Sequence, residues 1–581
     1  MAVKYKRRTY RRRAGARRPI SSKAFLIAAA CVLIAAIAVS AILLFGSSRA
    51  AMRVVDFGTA IKGVSVGGID ISGMTREQAM EATAGLEPAL LSTVNISLDV
   101  NGQIIEYTAE DFSVTTDYKE IMDKAFKIGH TGTLEQRVED AKAALEHGVK
   151  YDIKLVMEEN TLRSELAELK AELDKAPMDA SFTFMPWGYT LNADGTATAY
   201  QPDMQKMIED SADLKALSYP ENIVRIKKED MPPAIRYQYY KDTKYVENYT
   251  PAAADIARFF YAPEQTGLIT DTGAIYDELM GQIKSGVFAT ITVPAEVTEP
   301  GVRLDQVKQQ TQLITSWTSS YAANKHDKHD RVWNVAKMSG IICGQILQPG
   351  VKWSMNETAG PRKDNGEWKK ASGIVDGGYV DQPGGGVCQV SSTLYNAAIR
   401  CGLKKDDIES RHHSIISGYI PLGMDATIST PSPDLRLTNP YAVPLYIVSY
   451  MNPESKSVSV EIYGAAPTDA ETGEAVIYDF SSNDMGPYGA APIEEYFYDQ
   501  TALSDGTPID PGTEKRYAEM QDGKKIQTYR HFKKLDGTKY KSEEFDHVII
   551  KPINGKIYCN YPNPALVPPV DPNSPQAPPA Q

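Results

Sequence analysis

Hydrophobic and polar residues follow two different rhythms along the chain, which predicts a protein built from both helices and strands. Residues 95–109 alternate on either side of Asn101-Gly102, a pattern typical of a β-hairpin. Four leucines recur at helical spacing within residues 162–173, and Pro177 then ends the pattern. The chain is therefore expected to be α+β, and its 581 residues are enough for several domains.

The same mixture fills residues 55–298, which we interpret as one region. Thr75 is followed three residues later by Gln78, the pattern of a capping box at a helix N-terminus. Residues 181–200 predict another β-hairpin. A shorter strand and helix cycle in 245–297 is similar to the first, which predicts a duplicated module.

The most apolar stretch comes near the start of the chain. Residues 24–45 contain no charge over 22 residues, enough to cross a bilayer core of roughly 30 Å. Residues 1–23 carry ten Lys/Arg and no acidic residue, which predicts a cytoplasmic N-terminus. We expect a single transmembrane signal-anchor with the rest of the chain outside the cytoplasm, facing the cell wall. A cleaved signal peptide is the alternative.

Charge and cysteine content narrow the possible functions. Without residues 1–23, the chain has 52 basic residues (62 − 10) against 74 acidic ones, a formal charge of −22. Such an acidic body argues against nucleic acid as a partner. Few cysteines follow the apolar run, and no CxxC occurs, so neither a disulfide framework nor a zinc site is predicted. They are Cys343, Cys388, Cys401 and Cys559.

Two further segments are set apart by their composition. Residues 484–560 consist of short Tyr-rich strand patterns with turns, which predicts a small β-domain. Residues 561–581 are rich in proline and predict a disordered tail.

The most informative stretch for chemistry is "QPGGGVCQVSSTLYN" at 382–396. Gly384, Gly385 and Gly386 precede a predicted helix that reaches about Arg400, and this places Cys388 in the first turn. A helix N-terminus favours the thiolate, and its free amide groups can stabilise an oxyanion. Glycines there let substrate and backbone approach closely.

The predicted helix has two faces. Val390, Leu394 and Cys401 fall on the expected core face, so Cys401 is interpreted as a packed thiol. Cys388 falls roughly opposite, and we expect its neighbours there to bind substrate. These are Gln389, Ser391, Ser392 and Tyr395.

A base and an acid follow the cysteine in sequence. His412 and His413 are adjacent, and in a strand only one of them would meet Cys388. Together with Asp425, such residues can form a thiol–imidazole pair with an orienting carboxylate. A structural imidazole and a turn carboxylate are the alternatives.

Several motifs together resemble the VanW domain. They are "WSMNETAGPR", "GGGVCQVSSTLYNA", "RHHS" and "GMDAT", within residues 300–450. The histidine of the family pattern falls on His413, with Ser414 beside it, and the acid falls on Asp425. "GVSVGGIDISGMTREQA" and "APMDASFTF" resemble peptidoglycan-binding domains, and residues 484–560 are similar to G-five domains.

The VanW resemblance implies a peptidoglycan L,D-transpeptidase that forms 3–3 cross-links through a cysteine thioester. Its partners would be peptidoglycan stem peptides, with Ser414 and the three glycines at the substrate-binding site. Neither a cofactor nor a metal is expected. A cysteine-dependent wall amidase or endopeptidase, and a non-catalytic peptidoglycan-binding or antibiotic-response protein, are the alternatives.

Overall fold

A computed structural model describes residues 58–566 apart from 204–205, 207–218, 227–237, 242–243, 247–254, 322–328 and 453–454. The predicted basic segment 1–23, the predicted membrane span 24–45 and most of the predicted tail 561–581 lie outside the described residues. Within the described ranges, no helix is both long and apolar enough to cross a membrane. The chain is a mixed α+β protein, as expected.

The fold divides into two compact units. Among the described residues, the first contains 58–178 and 265–300, and the second contains 179–264 and 301–566. Residues 179–264 group with the second unit, and the boundaries 55–298 and 300–450 stay predictions from the sequence.

The first unit contains helices and short sheets of two or three strands. Its helices are Arg76–Thr83, Leu86–Leu91, Tyr118–Lys127, Leu134–His147, Glu159–Leu173 and Tyr276–Ser285. Its strands are Val64–Val66, Ile69–Asp70, Ile96–Val100, Gln103–Tyr107, Thr115–Thr116, Val149–Tyr151, Leu155–Val156, Gly267–Thr270, Ile291–Val293 and Ala295–Thr298.

Local sequence signals account for several of these elements. Thr75 caps its helix through a complete capping box with Gln78. Asn101 and Gly102 both have positive φ and join two antiparallel strands. The leucines of 162–173 are all buried in the core of this unit, as their spacing predicted.

The later strand and helix cycle completes the first region. Ile291–Val293 pairs in parallel with Ile96–Val100, and the helix Tyr276–Ser285 shares one core with 94–173. These elements therefore fold together with the first region, and the duplication stays a prediction from the sequence pattern.

The second unit is built on a larger sheet. Its helices are Leu304–Gln309, His329–Ile342, Met355–Ala359 and Val387–Arg400. Its strands before residue 400 are Ser181–Phe184, Tyr189–Leu191, Ala197–Ala199, Gln238–Lys241, Lys244–Val246, Phe259–Ala262, Gln312–Ser320, Ile346–Leu347, Lys352–Ser354, Lys370–Val375 and Gly378–Pro383. The later strands are Ile408–Glu409, Arg436–Thr438, Leu445–Asn452, Ser457–Gly464, Ile477–Pro487, Glu494–Phe497, Glu514–Ala518, Lys524–Lys533, Lys539–Ile550 and Gly555–Cys559.

The hairpin predicted at 181–200 is partly wrong. Tyr189–Leu191 and Ala197–Ala199 do form a hairpin. Ser181–Phe184, however, pairs with Phe259–Ala262. Aromatic packing explains the long-range choice, because Phe184 stacks on Phe259 at 5.2 Å between ring centroids.

The helix Val387–Arg400 packs against the central strands Gln312–Ser320 and Ser457–Gly464 of a six-stranded sheet. Nearly every residue of this helix is buried, so polar side chains as well as apolar ones lie inside the unit. Cys401 is fully buried at its end, as predicted, and Gly402 follows with a positive φ.

Residues 477–559 form two three-stranded sheets within the second unit. Their strands are antiparallel except for Glu494–Phe497 and Gly555–Cys559, which run parallel. Tyr517 donates a hydrogen bond to the Val375 carbonyl at 3.0 Å. This β-rich region is therefore in direct contact with the part of the chain that carries Cys388.

Candidate active site

Cys388 lies in the first turn of the helix Val387–Arg400, where the sequence placed it. Gly386 is the residue before the helix and has φ +100°, and Gly384 has φ +79°. Both conformations favour glycine, because a Cβ is strained in the left-handed region. The backbone just before the helix therefore has a conformation that residues other than glycine rarely adopt.

Close packing is a second reason why glycine is needed at these three positions. A Cβ on Gly384 would lie 2.7 Å from Cδ of Arg362, and one on Gly386 would lie 2.6 Å from Cγ of Arg331. A Cβ on Gly385 would collide with the carbonyl oxygen of Ala371. The glycines thus admit two arginine side chains and a neighbouring strand, rather than only an incoming substrate.

The Cys388 thiol is half-buried and touches the segment after Asp425. Its Sγ lies 3.5 Å from Thr427 Oγ1, 3.4 Å from the Ile428 carbonyl oxygen and 3.5 Å from the Ile428 amide nitrogen. The His413 imidazole interacts electrostatically with this thiol, and each group shifts the pKa of the other. The thiol is therefore held between a base and polar backbone groups.

His413 is fixed by a carboxylate on its other side. Its Nδ1 lies 2.6 Å from Asp425 Oδ2, and its backbone N–H donates to the same oxygen at 2.6 Å. Only 5% of the His413 side chain is exposed. Because Nδ1 is engaged by Asp425, Nε2 is the ring nitrogen left for the thiol.

Electrostatics within this triad favour a thiolate and an imidazolium. Burial raises the pKa of Cys388, but the hydrogen bond and positive charge of His413, aided by Thr427 and Ile428, lower it to about 7. Burial lowers the pKa of His413, yet Tyr419, Asp425 and Cys388 together hold it well above 6.5. Burial raises the pKa of Asp425, but its two histidine neighbours hold it below its usual range.

His412 extends the chain of charges away from the thiol. Its Nδ1 lies 3.2 Å from Asp425 Oδ1, and its Nε2 lies 3.7 Å from Asp546 Oδ2. Burial lowers the pKa of His412, but the hydrogen bonds with Asp425 and Asp546 outweigh it and raise the pKa to about 9. Asp546 is also paired with Lys405. The two histidines thus share Asp425, and His413 is the one that lowers the pKa of Cys388.

Four residues predicted to bind substrate are buried, and three of them form hydrogen bonds within the protein. Gln389 accepts from Arg331 Nη2 at 3.0 Å and donates to Ser319 Oγ at 3.1 Å. Ser391 and Ser392 donate to the Ala426 carbonyl. Gln389, Ser391, Ser392 and Tyr395 are at most 1% exposed, and their contact with substrate stays a prediction. Nearly the whole helix surface is buried by other parts of the protein, whereas the pattern of polar and apolar residues predicted one exposed face.

Two more sequence-based expectations are refined by the geometry. Ser414 is exposed, and its carbonyl accepts from Gln521 Nε2 at 2.8 Å. The first-turn amides of Val387 and Gln389 donate to Gly384 and Gly386 carbonyls, which leaves the Cys388 amide as the candidate oxyanion donor.

Sequence reasoning missed four residues around the thiol. Arg331 and Arg362 pack on the glycines, and Tyr419 lies beneath the Arg331 guanidinium at 5.9 Å from its ring centroid. Asp546 comes from a strand more than a hundred residues away. No local pattern marks these residues, since each reaches the site only through tertiary packing. The four described cysteines are all free thiols.

Together the second unit holds a buried thiol–imidazole–carboxylate site on an α+β fold, the arrangement of a cysteine-dependent enzyme or its relative. Residues 330–463 match the family model described as "VanW like protein", and residues 105–186 match the one described as "Putative peptidoglycan binding domain". Over these residues the chain is therefore similar to VanW-like proteins and to domains described as peptidoglycan-binding, which are features of cell-wall-associated proteins. Cys388, His413 and Asp425 fall inside the VanW-like match, and Asp546 falls outside it.

Individual proteins add limited detail. "Uncharacterized protein YoaR" of Bacillus subtilis (strain 168) is 35% identical over 140 residues, which are 24% of this chain and 43% of that protein. The chain thus matches less than half the length of this relative. A solved structure titled "Crystal structure of HP0197-G5" shares 14% identity, covers 15% of this chain and 95% of its own, and has a TM-score of 0.08. The G-five resemblance of 484–560 remains a prediction.

Proposed function

We propose that this protein is a membrane-anchored, extracytoplasmic peptidoglycan L,D-transpeptidase that forms 3–3 cross-links. The observation that carries the proposal is the pairing of His413 Nδ1 with Asp425 Oδ2 at 2.6 Å, together with the lowering of the Cys388 pKa by His413, inside the VanW-like domain. A buried cysteine with a lowered pKa beside an oriented histidine is the usual arrangement for thioester chemistry. The domain in 105–186 supports peptidoglycan as the partner.

In the first step, the Cys388 thiolate attacks the carbonyl carbon that precedes the terminal D-alanine of a donor tetrapeptide. The S–C bond forms, the C–N bond breaks, and the leaving amine takes a proton from the His413 imidazolium. The Cys388 amide is placed to donate a hydrogen bond to the oxyanion. Asp425 holds the imidazole in position and stabilises its positive charge.

In the second step, the side-chain amine of a neighbouring stem attacks the thioester carbonyl. The new C–N bond forms as the C–S bond breaks, His413 takes a proton from the incoming amine, and the thiolate is restored. The roles of Gln389, Ser391 and Ser392 in this proposal are to fix the helix and the segment 426–428 around the thiol.

The test uses the full chain with disaccharide-tetrapeptide donors and mass spectrometry of the products. We expect cross-linked dimer from the unchanged protein and from Cys401→Ser, the matched control, and none from Cys388→Ser. An acyl-protein with the donor less D-alanine would appear in the first two alone. Undiminished dimer from Cys388→Ser would refute the mechanism, and release of monomeric tripeptide without dimer would assign the site to hydrolysis.

A further inference from the structure

We infer that Arg362, with Arg331 beside it, forms a carboxylate-binding subsite next to Cys388 that recognises the free C-terminal carboxylate of the donor peptide. The inference rests on the proposed function, because it concerns the residue that leaves when the thiolate attacks. It adds a determinant of substrate class to that site: a stem that ends one residue beyond the attacked carbonyl.

The position of Arg362 is set by two elements that also touch the thiol. Its stem packs on Gly384, four residues before Cys388. Its Nη2 donates to Asn356 Oδ1 at 2.9 Å, and Asn356 in turn donates to the Ser429 carbonyl at 2.8 Å. Ser429 directly follows Ile428, whose backbone contacts Cys388 Sγ. The guanidinium is therefore held at the edge of the thiol site.

One donor of this guanidinium lacks an acceptor. Among the described residues, Arg362 Nη1 is a buried nitrogen with no hydrogen-bond partner. Asp434 is the neighbouring carboxylate, but it accepts from Ser354 Oγ at 2.6 Å, Arg436 Nε at 2.9 Å and the Asn356 amide at 2.9 Å. A buried donor on a charged group costs free energy when it has no acceptor. A bound ligand that supplies the acceptor would remove this cost.

The charge balance also points to an anionic ligand. Arg331, Arg362 and the His413 imidazolium are three positive groups around the glycines, against the Cys388 thiolate and Asp425 as two negative ones. Burial lowers the pKa of both arginines and the Cys388 charge opposes this, so each guanidinium lies within electrostatic reach of the thiolate. Asp434 also acts on Arg362, but it is shared with Arg436, so it does not serve Arg362 alone.

A peptide carboxylate fits this requirement in chemistry and in reach. A guanidinium presents its N–H groups in a planar fork that matches a carboxylate. The terminal carboxylate of a tetrapeptide stem lies one residue, about 3.5 Å, beyond the carbonyl that the thiolate attacks. Arg362 is partly exposed, whereas Arg331 is buried and bonded to Gln389.

The experiment compares a tetrapeptide donor that has a free C-terminal carboxylate with the same peptide ending in a carboxamide. Binding is measured by calorimetry with the full chain carrying Cys388→Ser, so no thioester has to form. We expect the acid to bind roughly 10- to 100-fold more tightly than the amide, the value of a charge-assisted hydrogen bond. Adding Arg362→Met should reduce this preference to about one, while Arg362→Lys should keep part of it.

Arg516→Met is the matched control, because Arg516 is paired with Glu494 in the C-terminal sheets, and it should leave the preference unchanged. Equal binding of acid and amide by the parent protein would overturn the inference without any substitution at Arg362. A full preference retained in Arg362→Met would do the same. Absence of cross-linking with an intact acid preference would instead refute only the proposed reaction.

Discussion

Replacing His413 with glutamine tests whether the thiol is activated by its neighbours. Cys388 has a pKa of about 7 in place of 9.0, even though burial acts in the opposite direction. The difference corresponds to about 3 kcal/mol in favour of the thiolate. Since the hydrogen bond and charge of His413 are the largest effects that lower this pKa, His413→Gln should move the midpoint to 9 or above.

The effect on reactivity can be worked out from these values. At pH 7 the thiolate fraction falls from about one half to about 1%, roughly a 50-fold decrease. A thiolate of higher pKa is intrinsically more nucleophilic, by roughly eightfold over this range. The net loss at pH 7 is then roughly sixfold, so the midpoint of the pH profile is the more decisive quantity.

The assay is the rate of alkylation by iodoacetamide between pH 5 and 10, read by mass spectrometry on the peptide that contains Cys388. His412→Gln is the matched control, because it changes the same residue type one position away and should leave the midpoint near 7. Cys401 is an internal reference: burial raises its pKa to about 12, and it should stay unmodified at pH 7. A midpoint near 9 in the unchanged protein, or near 7 in His413→Gln, would refute the reasoning.

Two further predictions concern stability. Bonds with Asp425 and Asp546 raise the pKa of His412 to about 9, so its contribution, at most about 3 kcal/mol, is complete below pH 6.5 and lost as pH rises through 9. Denaturant unfolding should therefore show stability falling between these pH values, and the fall should be smaller in His412→Gln; an identical slope would contradict this. Gly385→Ala should lower the melting temperature strongly, because its Cβ would collide with the Ala371 carbonyl. Gly281→Ala, whose Cβ meets nothing within 4 Å, should not, and equal effects of the two would contradict the packing explanation.

Local sequence patterns were most reliable where a few neighbouring residues decide the structure. The capping box at Thr75, the turn at Asn101-Gly102 and the helix after Gly386 depend on hydrogen bonds and φ values within a short segment. These elements therefore formed as predicted. The strand at 181–184 did not pair with its neighbour, because aromatic contacts with 259–262 outweighed the local hairpin pattern.

The prediction that the Cys388 helix has one buried and one exposed face is only partly correct. The apolar face is buried, as its spacing indicated, but Gln389, Ser391 and Ser392 are equally buried on the other sides. A helical wheel separates polar from apolar residues and cannot tell whether a polar face meets solvent or a second layer of protein. Here the segment around Ala426 supplies the partners for that face.

The sequence by itself determined the reactive elements: a cysteine at the start of a helix, a histidine pair and an acid, each marked by residue type and local spacing. The tertiary structure decided how they combine. It placed His413 between Cys388 and Asp425, brought Asp546 to His412, and packed Arg331 and Arg362 against the glycines. The physical reason is that side-chain charges and hydrogen bonds act over a few ångströms in space, whereas sequence patterns report only on neighbours along the chain.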